Sequence, residues 1–127
     1  MRETIKKVEI FHDAFQQKNG TGPALLDQSE FELRHRLMHE ENEEYLEACQ
    51  KEDIVEIADA LGDQLYILCG TILKHGLQHK IEEVFNEIHL SNMSKLDADG
   101  KPIFREDGKI LKSNRYFKPD IGKIIYK

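Results

Sequence analysis

The sequence predicts an all-α four-helix bundle with a short irregular or hairpin C-terminal tail, and three observations carry that reading. Apolar residues recur at helical spacing in four segments between residues 2 and 94. Two of those segments open on a Ser or Asp with Glu three residues later, the pattern of a reciprocal helix cap. Clusters of turn residues fall between the segments and after the last one. Residues 2–17 place Ile5, Val8, Phe11 (or His12) and Phe15 on one face, and Asn19-Gly20-Thr21-Gly22-Pro23 breaks that helix. Ser29 with Glu32 opens a second helix that runs to about Gln50. Asp53 with Glu56 opens a third, closed near His75-Gly76 by a C-terminal glycine. Ile81, Val84, Phe85 and Ile88 define a fourth over 79–94. Asp99-Gly100 and Asp107-Gly108 are turn signals around short segments that fit a small hairpin, and Pro119-Asp120 starts another turn. Four helices with short connections pack by default as a bundle.

The 127 residues are expected to form one domain, with a helical core at about 2–95 and a tail at 96–127. A net charge of −6 argues against nucleic acid or an anionic membrane as partner. The N-terminal segment is amphipathic, with no apolar run of signal-peptide type, and acids interrupt the longest apolar stretch before it could span a bilayer. Cys49 and Cys69 lack metal-ligand spacing and read as reduced residues of a cytoplasmic protein.

The third helix poses a chemical problem. From Ile54 to Leu73 it is nearly all apolar or small, and its charged side chains are three acids, Glu56, Asp59 and Asp63, at i, i+3 and i+7 on one face. The second helix repeats the anomaly, with Glu41 and Glu44 in the stripe of Leu37 and Ala48 and with Glu40 beside them. Carboxylates in apolar surroundings are costly unless compensated. Antiparallel packing across the short Gln50–Glu52 turn would oppose the two acidic faces with no Lys or Arg on the third helix before Lys74. Hard divalent cations, Mg²⁺ or Mn²⁺, are the compensation that an all-oxygen set implies, and the absence of His and Cys from both faces argues against zinc.

The residues Glu40-Glu41-Asn42-Glu43-Glu44 and Glu56-Ile57-Ala58-Asp59 resemble the E-x-x-E … E-x-x-D signature of the MazG-like all-α nucleoside triphosphate pyrophosphohydrolases. The stretches "FHDAF", "RLMHEENEEYLEA", "SNMSK" and "GKILKSNRYFKPDI" are similar to the phosphoribosyl-ATP pyrophosphohydrolase-like branch. The resemblance implies Mg²⁺-dependent hydrolysis of a (d)NTP or related nucleotide between the α and β phosphates. A water acidified by the metal attacks in line, and a nucleoside monophosphate and pyrophosphate leave. By position Glu41, Glu44, Glu56 and Asp59 match the metal ligands. Glu40 and Glu41 are the catalytic candidates, Glu40 as a further ligand or the base that orients the water. Asp63 stands one turn past Asp59 as a further ligand, although Ala60 occupies the glutamate position of the E-x-G-D form. Asn92, Lys95, Lys112, Arg115 and Tyr116 are assigned to phosphate and nucleotide contacts, and His12 and Phe15 to the base pocket.

A homodimer or homotetramer is expected, since a four-helix layer this small leaves apolar surface for a partner copy. Two other readings stay open: a phosphoribosyl-ATP pyrophosphatase, and a non-catalytic helical interaction protein whose acids only disfavour other packings. A di-iron bundle is excluded because no His follows Glu41 or Glu56 at three residues. His35 and His39 have zinc-ligand spacing, but the order H-x-x-x-H-E is not that of the zinc proteases. His12-Asp13 lacks the context of an HD phosphohydrolase, and a calcium loop at 95–106 would begin on Lys95.

Overall fold

The computed structural model describes all residues, 1–127, and the chain is all-α apart from one pair of two-residue strands. Its elements are α1 (Arg2–Ala14), α2 (Gln28–Gln50), α3 (Ile54–Lys74), α4 (Ile81–Met93), β1 (Ile103–Phe104), β2 (Ile110–Leu111) and α5 (Ile121–Ile125). Contacts divide them into two compact units, residues 1–79 and 80–127.

In the first unit α3 packs against both α2 and α1, with the α2–α3 contact the more extensive. Its core is Ile5, Val8, Ala48, Ala60, Cys69 and Leu73, and burial raises the Cys69 thiol above its ordinary pKa. The α2 cap lies two residues before the expected one. Asp27, not Ser29, accepts the Glu30 N–H at 2.9 Å, and Ser29 donates its hydroxyl to Asp27. A carboxylate suits a helix N-terminus better than a hydroxyl because it also meets the positive end of the helix dipole. These hydrogen bonds, from the Glu30 N–H first and from Ser29 next, hold the Asp27 carboxyl below its usual range. Asp53 caps α3 as expected, accepting from the Val55 and Glu56 N–H groups. The turn between α2 and α3 reverses the chain through Glu52, which takes a left-handed conformation at φ 53°.

The loop between α1 and α2 crosses the end of α3 at close range. Gly20 N–H donates to Leu73 O, Ala24 N–H donates to His75 O, and Gly76 has φ 66°. A Cβ on Gly76 would lie 2.0 Å from the Gly22 carbonyl oxygen. Gly76→Ala is therefore expected to cost about 2 kcal/mol or more, since the left-handed backbone and a backbone clash both oppose it. Urea unfolding followed by circular dichroism measures this.

In the second unit α4 packs against α5. Three serines tie the tail to α4: Ser91 Oγ donates to Phe117 O, Phe117 N–H donates to Ser94 Oγ, and Ser113 Oγ donates to Ser94 O and Leu96 O. β1 and β2 pair antiparallel, Ile103 opposite Leu111 and Phe104 opposite Ile110, with Gly108 at φ 87° in the turn. Asp97 accepts from the Asp99 and Lys101 N–H groups, so the first acid of the calcium-loop pattern closes a backbone turn. The turn at Pro119-Asp120 becomes the start of α5, where Asp120 accepts the Lys123 N–H.

Candidate metal centre

Three cross-links set the α2–α3 register. Arg34 Nε donates to Thr71 Oγ1, Gln64 Nε2 donates to Asn42 Oδ1, and Lys51 pairs with Glu56 at 3.7 Å beside the turn. Numbers rise along α2 as they fall along α3, so the helices are antiparallel and their acidic stripes face each other. Ala48 and Ala60, one on each helix, are buried, and their small side chains let the backbones approach.

Glu41 and Glu44 of α2 meet Asp63 of α3 in this seam, with one carboxylate oxygen from each within 4.8 Å of the others. Glu41 Oε2 is buried without a hydrogen-bond partner. Burial, a hydrogen bond shared with Glu44, and the charges of Glu44, Asp63 and Asp59 push the Glu41 carboxyl up to about 7. The metal-free cluster thus gives up its last proton only around neutral pH. Three converging carboxylates, one with an orphaned oxygen, form a hard, all-oxygen donor set of the kind that suits Mg²⁺ or Mn²⁺.

Glu56 and Asp59 stand apart from the three converging oxygens. Both are exposed, and together with Glu44, Glu47, Lys51 and Ala60 they line an open cleft of about 270 Å³. Glu44 belongs to both groups and joins them. Glu40 is exposed and outside the cluster. The sequence reading missed Lys51 and Glu47. Lys51 is the one cation lining the cleft, and its only signal in the sequence was its place in the turn after α2.

The α1 residues are placed unequally. His12 is 5% exposed, its Nδ1 lies 2.6 Å from Asn19 Oδ1, and its Nε2 lies against Gly70, whose added Cβ would be 3.1 Å away. Phe15 is 64% exposed and stacks on Phe11 with ring centroids 4.5 Å apart. Asn92, Lys95, Lys112, Arg115 and Tyr116 belong to the second unit. There Lys112 Nζ sits 4.5 Å above the Tyr116 ring, the Lys95 carbonyl accepts the Ser113 N–H, and the Arg115 N–H donates to Ser113 Oγ.

A family model described as phosphoribosyl-ATP pyrophosphohydrolase matches residues 8–92. The chain belongs to this family. Membership places it among the MazG-like all-α pyrophosphohydrolases and indicates an enzyme of nucleotide pyrophosphohydrolase type. The matched span contains every acid of the seam and ends at Asn92, before Lys95, Lys112, Arg115 and Tyr116. No curated protein matches the chain. No helix is long and apolar enough to cross a membrane.

Proposed function

We propose that the chain hydrolyses a (d)NTP or a related nucleotide between its α and β phosphates, releasing a nucleoside monophosphate and pyrophosphate. The observation that carries this reading is the meeting of Glu41, Glu44 and Asp63 around a buried, unpartnered carboxylate oxygen. Those three, extended by Glu56 and Asp59 along the cleft, would hold Mg²⁺, with Mn²⁺ able to substitute. A bound divalent cation supplies positive charge to the phosphates and makes a water more acidic at neutral pH. The chain's own residues supply the rest. Glu40 and Glu41 are the candidates to orient that water and take its proton. Lys51 brings a positive charge to the rim of an otherwise acidic cleft, where a phosphate oxygen needs one. Asn92, Lys95, Lys112, Arg115 and Tyr116 are proposed as nucleotide contacts, and His12 and Phe15 as contacts to the base.

Phosphoribosyl-ATP fits the same chemistry, because the bond broken is again the one between the α and β phosphates, and the family's name favours it. The deciding experiment incubates the protein with Mg²⁺ or Mn²⁺ and a panel of (d)NTPs, damaged NTPs and phosphoribosyl-ATP. Pyrophosphate without early orthophosphate is expected, with ¹⁸O from water in the monophosphate or the pyrophosphate. Orthophosphate and a diphosphate in equal amounts contradict the reading, and no hydrolysis of any nucleotide favours a helical interaction protein.

We also propose that the working form is a homodimer or homotetramer. Leu46 on α2 and Ile54, Val55, Leu61 and Leu65 on α3 remain 49–75% exposed, apolar surface that a second copy would cover. Light scattering after size exclusion measures the mass. The free thiols of Cys49 and Cys69 suit the reducing cytoplasm.

A further inference from the structure

The second face of the α2–α3 pair holds a groove of about 390 Å³ that the acidic seam does not use. His35, Met38, His39 and Asn42 line it from α2, and Gln64 and Leu68 line it from α3. His35 and His39 are one helical turn apart and exposed. Their ring centroids are 6.4 Å apart with planes 13° from parallel, and the i, i+4 spacing puts both imidazoles on the groove side of the helix. Neither ring nitrogen makes a hydrogen bond within the chain, unlike those of His12 and His75, which bond to Asn19 and to the Ala24 carbonyl. Across the groove Gln64 spends one N–H on Asn42 Oδ1, which fixes the amide and leaves its own oxygen free to accept.

Two unengaged imidazoles at i and i+4 on a rigid helix form a chelating pair, because a rotation about each exposed side chain brings both ring nitrogens to one point. No carboxylate lines this groove. Its donors are nitrogen and amide oxygen, which select borderline cations such as Zn²⁺, Ni²⁺ and Cu²⁺ over Mg²⁺. The acidic seam offers carboxylate oxygens alone, so the two faces of one helical pair differ in their donor sets.

We infer that His35 and His39 form a second metal site, for a cation of the Zn²⁺ class, with Gln64 opposite them on α3. The site is not hydrolytic, since no glutamate follows the first histidine to activate water. Its consequence is mechanical: a cation that takes both imidazoles of α2 and the Gln64 oxygen of α3 fastens together the two helices that present the carboxylates. The inference does not depend on the pyrophosphohydrolase reading.

Calorimetric titration of Zn²⁺ into the full-length protein tests it. The proteins compared are the unaltered chain, His35→Ala, His39→Ala, and a chain with both Glu41→Gln and Asp63→Asn. The doubly neutralised chain is expected to keep one Zn²⁺ site. Either histidine variant should weaken Zn²⁺ binding by at least about tenfold, the lower end of what losing even an outer partner of a ligand costs. Zn²⁺ affinity unchanged in both histidine variants overturns the site, as does its loss with Glu41 and Asp63 neutralised. X-ray absorption of the Zn²⁺-loaded unaltered protein decides the matter independently if the doubly neutralised chain does not fold. Imidazole nitrogen scattering supports the site, and an all-oxygen shell overturns it.

Discussion

Asp63→Asn is expected to lower kcat by about a hundredfold or more, as are Glu41→Gln and Glu44→Gln, because each removes charge that holds the cation against the developing phosphate charge. These three carboxylates converge within 4.8 Å, and an isosteric amide removes the charge while leaving the shape. Glu40→Gln, whose side chain lies outside that cluster, should keep kcat within about tenfold unless Glu40 is the base. Lys112→Ala should instead raise KM with kcat within about tenfold, since a flexible lysine attracts phosphate in the ground state and the transition state alike. Steady-state kinetics on the best nucleotide of the panel, with circular dichroism of each variant, give the comparison. Full kcat in Asp63→Asn would make the seam structural and remove the proposed centre.

A second large effect is expected in stability. Mn²⁺ or Mg²⁺ at about a hundred times its dissociation constant should stabilise the native state by about 2.7 kcal/mol. For a chain of this size that is a rise of roughly 10 °C in Tm. The gain should depend on pH in a defined direction. Glu41 titrates near 7 in the metal-free protein against 4.5 unfolded, so the folded state holds more protons between those values. Metal-free stability from this group is fully present below about 4.5 and is lost as pH rises through about 7. A cation must displace the same proton, so its affinity rises over that interval and levels off above it. Metal thus helps most where the metal-free protein is weakest. Glu41→Gln should remove the pH dependence and stabilise the metal-free protein by on the order of 1 kcal/mol, one pKa unit's worth after discounting for partial exposure. Thermal melts from pH 5 to 8.5, with and without metal, test the sign. A metal-induced shift that shrinks with rising pH would contradict it.

The helices were legible because their signals are local. Asp53 caps α3, Gly76 ends it in a left-handed turn, and the apolar period of α1 buries Ile5 and Val8. The α2 cap was misplaced by two residues because Ser29 and Asp27 both suit a helix start, and only the backbone decides which side chain meets an N–H. The acidic seam was legible as a pair of stripes, but the ranking of its members was not. The E-x-x-D pattern favours Glu56 and Asp59, whereas the antiparallel register brings Asp63 nearest to Glu41 and Glu44. Register is a property of two helices together, and no spacing along one of them encodes it. His12 shows the same limit. Its place on the apolar face of α1 was visible, but its burial against Gly70 depends on α3 having no side chain there.

The connection between α2 and α3 also bears on the order in which the protein assembles. Every carboxylate of the seam comes from two helices that follow one another in the chain, joined by Lys51, Glu52 and Asp53. Contacts so close in sequence close small loops at small entropic cost, and they form early in folding. During synthesis the seam is complete as soon as α3 has left the ribosome, before the second unit exists. A nascent helical hairpin whose carboxylates repel one another then encounters cellular divalent ions while its remaining partners are still being made. An ion held at the proposed centre would then be a counter-charge for assembly as well as for chemistry.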